Sequence, residues 1–517
     1  MKDRRGRPLE RVGPLNHSKK KSFALCRRVS WCCLLSVSVL AVMAHVNYLH
    51  LYFFTQILPL RLEHVVVPQK HDNLFPNYEI SEHEDDSEVV IPPELEPFVR
   101  LMDDSIFLNT YEKDGLFVMT GDIPDMWIRD SSAQVWPFRD SHPKFVWRVL
   151  LQQARFILSD VYANAYSKEY RPVKHIGARD FKLGRGRWVA TRNYELDSGC
   201  YYLRLLYHMW KNHNQNTDDA LRSHRIDLEM YLHERVVSLL VETWTIEQQH
   251  DLLSQYTYPE LARSGKGPLA NFTGMTWSGF RPSDDPCIYS YHIPSNFFVV
   301  EVLDYIMEIW GGSELVSESS SWHVNKYLVS KAAQLQQEIK MGIERFGIQN
   351  GMYCYEVDGL GNCNMMDDAN VPSLLSIPYL TSQQHYDKAI WQKTYSWIWS
   401  RENPYFYEGK VASGIGSPHT KKGSIWPMSI IMRGIVDPDV RDSMIEMVNR
   451  TKSLNEPNSG FGLFSRRSRN EFINEISGMI SELHESFNKD DQNDYSRKWF
   501  GWVMALYQEL LSLQENS

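Results

Sequence analysis

The run TWSGFRPSDD, Thr276 to Asp285, places a Trp, a Phe, an Arg and two adjacent carboxylates within ten residues. Flat rings stack on the apolar face of a sugar, a guanidinium grips oxygens in a fixed geometry, and paired acids can protonate a glycosidic oxygen. Asp-Asp beside Ser and Pro is also ordinary turn chemistry, so the run alone leaves both readings open.

Five further loops have a similar composition. TGDIPDMWIRDSS (120–132) brings Asp122, Asp125, Trp127, Arg129 and Asp130 together, where Arg129 can pair bidentately with a carboxylate. A structural Arg–Asp brace at a helix start, with Asp130 or Ser131 as N-cap, would use the same residues. RNYELDSG (192–199) sets Glu195 two residues before Asp197, and GNCNMMDDANVPS carries Asp367 and Asp368. ENPYFYEGKVASGIGSPHT supplies Tyr405, Tyr407 and His419, with Trp426 close behind, and LHESFNKDD holds His484 and Glu485.

Other chemistries lack their residues. There is no HExxH, the 18 His are scattered, and no loop has the calcium spacing; GxSxG and phosphate-binding glycine loops are absent. No metal and no cofactor are expected. Carboxylate acid/base chemistry remains, in which one acid protonates a leaving oxygen and a second carboxylate activates water or attacks the sugar.

Such loops need elements to position them. Apolar residues recur at three- and four-residue spacing over 145–162, 201–210, 226–245, 297–309, 324–343, 386–399, 424–448 and 496–513, which predicts helices. Strand patterns are few, and GMYCYEVDGLG (351–361) is the best hairpin candidate. Many helices without a fixed sequence period argue against a solenoid and suit a closed toroid of paired helices with its site in loops at one end. Cys354 and Cys363 bracket this hairpin, where either a disulfide or two free thiols would fit, and Cys200 and Cys287 are equally open.

The 517-residue chain is 43% hydrophobic and 13% aromatic, with 16 Trp and 27 Tyr, enough for a large core and a ring-lined cleft. Net charge is −9, but residues 1–30 carry ten Lys/Arg against Asp3 and Glu10, leaving −17 for the remainder. So acidic a body repels phosphate backbones and excludes nucleic acid as partner. The span 31–54 (WCCLLSVSVLAVMAHVNYLHLYFF) has no charged residue and the length of a membrane-crossing helix. The positive-inside rule makes residues 1–30 a cytosolic tail and 31–54 a signal anchor of type II topology, with the body exported. Residues 55–93, acidic at HEDDSE, form a flexible stem, and 94–517 the catalytic body. Sequons at Asn271 and Asn449 would meet the glycosylation machinery in the Golgi or ER lumen.

Taken in order, TGDIPDMWIRDSSAQV, YANAY, YELDS, TGMTWSGFRPSDD, YEVDGLGN with MDDANVPSLL, ENPYFYEG with ASGIGSPHT, and HESF with YSRKWFGW resemble glycoside hydrolase family 125, the metal-independent exo-α-1,6-mannosidases, in its fungal membrane-anchored form. The resemblance covers roughly 92–511 and implies an all-α (α/α)6 toroid, of the six-hairpin glycosidase kind with a few short β-hairpins, behind one N-terminal transmembrane helix. It also implies inversion of configuration, with Asp284 as general acid and Glu485 as general base. Trp127, Arg129, Asp130, Glu195, Asp197, Trp277, Arg281, Asp285, Asp367, Asp368, His419, Trp426 and His484 are the candidates to hold a mannose-containing glycan. Asp285 beside Asp284 would keep one acid protonated, with Arg281 expected to pair chiefly with Asp285. This chain approaches its base as ISELHESF, after a polar insertion at about 455–470. A non-catalytic mannan-binding scaffold, or an (α/α)6 enzyme for another α-linked sugar, are the competing functions.

Overall fold

The computed structural model describes residues 115–215, 220–312, 324–452, 483–498 and 500–515. The basic tail, the expected membrane span, the stem and the insertion at 455–470 lie outside them. Among the described residues no helix is long and apolar enough to cross a membrane.

The chain is helix-rich. α1 (Ile128–Val135) is followed by α2 (Pro143–Ser159), α3 (Leu196–Gln215), α4 (Ala220–Glu247), α5 (Ile293–Trp310) and α6 (Lys326–Phe346). Then come α7 (Ile377–Leu380), α8 (Lys388–Ile398), α9 (Pro427–Val436), α10 (Arg441–Arg450) and α11 (Gly501–Glu515). Packing runs α1 on α3, α3 on α5, α5 on α7, α7 on α9, α9 on α11, and α11 back on α1, which closes a ring. α2 lies against α3 and α4, α4 against α6, and α6 against α5.

Sequence pattern separates the two kinds of helix. In α5 (IPSNFFVVEVLDYIMEIW) nearly every side chain is buried, whereas α6 buries the stripe Leu328, Ala332, Leu335, Ile339 and Ile343. A helix apolar all round needs partners on every side, and one with a stripe needs them on one. The pattern over 424–448 predicts one helix, but the structure has two, α9 and α10. Pro438 cannot continue a helix, and the Asp437 side chain accepts from the backbone N–H of Asp439 at 3.2 Å across the break.

Short antiparallel sheets bind the loops at the N-terminal ends of the ring helices. β1 (Asp125–Trp127), β2 (Ala165–Arg171) and β3 (Arg187–Thr191) form one; β4 (Tyr291–His292), β5 (Glu356–Val357) and β6 (Cys363–Asn364) another. β7 (Phe406–Glu408) pairs with β8 (Ser413–Ile415), and β9 (Ser424–Ile425) joins β10 (Phe487–Asn488) and β11 (Asp491–Tyr495). The hairpin expected over 351–361 is divided. Met352–Tyr353 pairs back with Ile348–Gln349 across Asn350-Gly351, both at positive φ, while β5 pairs with β4 and β6. Asn-Gly is the strongest two-residue hairpin turn, and it defines the register here. Cys354 and Cys363 form a disulfide, whereas Cys200 and Cys287 are buried free thiols.

Candidate active site

Each chemistry-bearing loop leads into a ring helix, so ring closure gathers them at one mouth. Arg129, in the first turn of α1, is 3% exposed and is the hub. Its Nη1 lies 2.6 Å from Asp130 Oδ2, its Nη2 2.9 and 3.0 Å from the two Glu195 oxygens, and its Nε 3.2 Å from Asp197 Oδ2. Asp284 Oδ2 lies 4.0 Å from Nη2, and the guanidinium stands over Trp502 at 5.2 Å. One cation thus serves four carboxylates from three loops.

Asp284 is held at φ 64°, a left-handed conformation uncommon outside glycine that Asp tolerates better than most. The turn that places it is closed by Asp284 N–H donating to Arg281 O (3.0 Å) and Arg281 N–H to Asp285 O (2.8 Å), with Pro282 pre-setting its first corner. Three donors converge on Asp284 Oδ1: Asn164 Nδ2 at 2.7 Å, Trp127 Nε1 at 3.4 Å and Asn193 Nδ2 at 3.4 Å. Oδ2 is left to face Arg129 and Glu195.

Arg281 does not pair with the Asp285 side chain. Its Nε and Nη2 donate to Glu356 at 2.6 and 3.0 Å, both residues being buried, because β5 lies beside the turn and brings Glu356 to the guanidinium. Asp285 instead accepts from Ser283 Oγ (3.1 Å) and lies 3.3 Å from His419 Nδ1.

Glu485 stands in the loop before β10. Ser496 Oγ donates to its Oε2 at 2.9 Å, and Arg497 Nη1 to its Oε1 at 3.4 Å, while Arg497 also pairs with Asp122. Beside it, His484 stacks on Tyr495 at 3.7 Å, with Nδ1 at 2.9 and 2.7 Å from the Arg497 and Lys498 carbonyls. His484 therefore fixes the backbone around Glu485.

Several candidates do not reach the mouth. Trp277 is 1% exposed, stacked on His250 at 3.6 Å and parallel to Tyr194, so its ring belongs to the core and offers no sugar platform. Asp367 spends both oxygens on the N–H groups of Leu374 (2.8 Å) and Leu375 (3.1 Å) before α7. Asp368 accepts from Asn370 and from Ser417 Oγ, and Ser417 Oγ accepts from His419 N–H, so this acid acts on the loop that carries His419. Trp426 is buried too, donating to Thr420 Oγ1 with its edge toward His419. Asn271 and Asn449 are exposed, the latter in the last turn of α10 with its Oδ1 accepting from Tyr507.

Residues 95–512 match the family described as metal-independent alpha-mannosidase (GH125). The chain belongs to that family. It is 29% identical over 435 residues to the meiotically up-regulated gene 157 protein of Schizosaccharomyces pombe, covering 76% of this chain and 75% of that one. A solved structure of a Streptococcus pneumoniae metal-independent alpha mannosidase, in a non-productive substrate complex with alpha-1,6-mannobiose, is 33% identical with a TM-score of 0.63. The likeness covers 81% of this chain and 93% of that one.

In this GH125 member burial sets the charge states of the mouth. It pushes Asp130 and Asp197 up to about 6 against the pull of Arg129, and Glu195 well above the usual carboxylate range. The charges of Asp284 and Asp197 add to the shift of Glu195. Glu485 is also raised by burial, opposed by Ser496 and by the charge of His419. His419 is raised to about 9, chiefly through Asp285, and is a cation at neutral pH.

Asn164, Asn193, Glu356, Ser496 and Arg497 also act at this site, though none is among the residues expected from the sequence. Asn164 and Asn193 carry no titratable group and stand singly in YANAY and RNYELDSG. Their signal is positional: each lies where a strand meets a loop, one before β2 and one after β3.

Proposed function

We propose that this GH125 member is an inverting, exo-acting α-mannosidase that releases terminal α-1,6-linked mannose from glycans without a metal. Asp284 is the general acid and Glu485 the general base. The observation that carries this reading is the unequal treatment of the two carboxyls. Asp284 has Oδ1 held by three donors, which leaves Oδ2, 4.0 Å from Arg129 Nη2, to present a proton to the leaving oxygen. Glu485 has donors on both oxygens and feels the charge of His419, which oppose the burial that raises its carboxyl. Inversion needs this division: a protonated acid at the leaving oxygen and an ionised base for water on the opposite face.

The closed ring of α1, α3, α5, α7, α9 and α11, with other helices packed against it, supports an (α/α)6 toroid. The mannobiose bound by the Streptococcus pneumoniae relative supports a mannose-containing substrate. The uncharged stretch 31–54 after a basic tail supports a type II anchor in the Golgi or ER, with the catalytic body in the lumen.

NMR of α-1,6-mannobiose hydrolysis tests the mechanism. The β-anomer of mannose should appear first and at the same rate with chelator present. First appearance of the α-anomer refutes inversion, and no release at all refutes the activity.

A further inference from the structure

Residues 168–187 hold seven Lys/Arg against Glu169 and Asp180, in a chain whose net charge is −9. They are the far ends of β2 and β3 and the connection between them, which holds a short helix at Ala178–Lys182; beyond the pairing of Asp125 with Ser167 the two strands place Arg171 opposite Arg187. Like charges directly across a sheet oppose pairing, and Arg187 is also held at φ 53°, a conformation unfavourable for a side chain. Asp180 answers Arg171 (3.4 Å) and Arg185 (3.9 Å). Lys174, Arg179, Lys182 and Arg187 are exposed, with no carboxylate partner among the described residues.

The near end of the same sheet is the clamp on the general acid. Trp127 in β1, Asn164 before β2 and Asn193 after β3 all donate to Asp284 Oδ1. A general acid delivers its proton to the leaving oxygen, so a ribbon rooted on Asp284 flanks the leaving-group side of the substrate. Its exposed rings, Phe181 at 66% and Tyr170 at 46%, suit sugar faces between the cations.

We propose that residues 168–187 form a subsite for an anionic substituent, a phosphate ester, on the leaving-group part of the glycan. The inference rests on the α-mannosidase reading above. Lys and Arg donate to phosphate oxygens through charge-assisted hydrogen bonds, and Lys174, Arg179, Lys182 and Arg187 are four such donors outside the Asp180 ion pairs.

The test compares α-1,6-mannobiose with the same disaccharide bearing a phosphate monoester on its reducing mannose, using the full chain in detergent. The wild type should favour the phosphorylated form roughly tenfold in kcat/KM at low salt, through KM. The triple variant Lys174→Ala, Arg179→Ala, Lys182→Ala should lose that preference while keeping neutral-disaccharide kcat/KM and melting temperature. Equal use of both substrates by the wild type, or a preference that survives the triple substitution, overturns the subsite. Phosphatidylserine micelles that stimulate turnover only in the wild type, without phosphate preference, would assign the ribbon to a lipid surface and likewise overturn it. Calorimetric binding of both disaccharides to Asp284→Asn is independent of turnover. A phosphate preference in binding without hydrolysis by the wild type sinks the activity alone, and no preference in binding sinks the subsite alone.

Discussion

Glu195 and Asp284 meet at a single nitrogen: Arg129 Nη2 lies 2.9 Å from Glu195 Oε1 and 4.0 Å from Asp284 Oδ2. Glu195 is held well above the usual carboxylate range because burial and the neighbouring charges of Asp284 and Asp197 outweigh Arg129. Glu195→Gln leaves one carboxyl where there were two. Turnover at neutral pH should fall by roughly a hundredfold, within the usual range for acid/base groups, and the alkaline limb of kcat/KM should move to lower pH. Glu195→Asp should restore part of both. An unshifted limb in the Gln variant would leave Glu195 as a sugar ligand only, read instead through KM.

Asp284→Asn and Glu485→Gln should each reduce kcat by at least about a hundredfold while leaving the melting temperature within a few degrees. Asp284→Asn removes a like charge from a crowded cluster, so its fold should be no weaker than the parent's. Near-normal turnover in either variant removes that residue from the mechanism.

Asn164 is tied on both ends, its Nδ2 to Asp284 at 2.7 Å and its Oδ1 accepting from Thr191 Oγ1 at 2.6 Å and Asn193 N–H at 3.2 Å. Asn164→Ala strips a hydrogen bond from a charged acceptor and leaves Thr191 unpaired, a cost of about 1–3 kcal/mol. Thermal melts should show this together with a drop in kcat. A variant stable but inactive would mean that the amide acts chiefly on the acid.

The loop-by-loop gathering of carboxylates was legible in the sequence, because each loop carries its own residues and each precedes a helix. What pairs with what was not. Arg281 lies four residues from Asp285, yet its partner is Glu356, which only the strand pairing of Tyr291–His292 with Glu356–Val357 brings near. Trp277 looks like a sugar platform by type, but the stack with His250 and Tyr194 turns it inward. Side-chain direction is set by tertiary packing, and a list of residue types does not contain it. The break at Asp437-Pro438 and the Asn350-Gly351 turn, by contrast, were local signals that the apolar periodicity masked.

The Arg281–Glu356 pair is buried on both sides, with Ile288 N–H and Asn364 Nδ2 also donating to Glu356 at 3.2 and 2.9 Å. Removing one partner leaves an uncompensated charge, so Arg281→Met or Glu356→Leu should each cost about 3–5 kcal/mol. The double variant should cost less than the sum of the singles. Additive losses in denaturant titrations would show that the two residues act independently.

His419 supplies a prediction in pH. Its folded pKa of about 9 exceeds the ordinary 6.5, chiefly because Asp285 hydrogen-bonds and attracts the imidazolium. A cation favoured by the fold contributes stability fully below about 6.5 and loses it as pH climbs through about 9. The melting temperature should therefore decline between those values by more than in His419→Gln, which has no proton to lose. The effect is modest because the imidazole is 40% exposed and salt screens it. Raising ionic strength should shrink the difference between the two proteins, and parallel melting curves across that window would show that the Asp285–His419 contact carries no linkage.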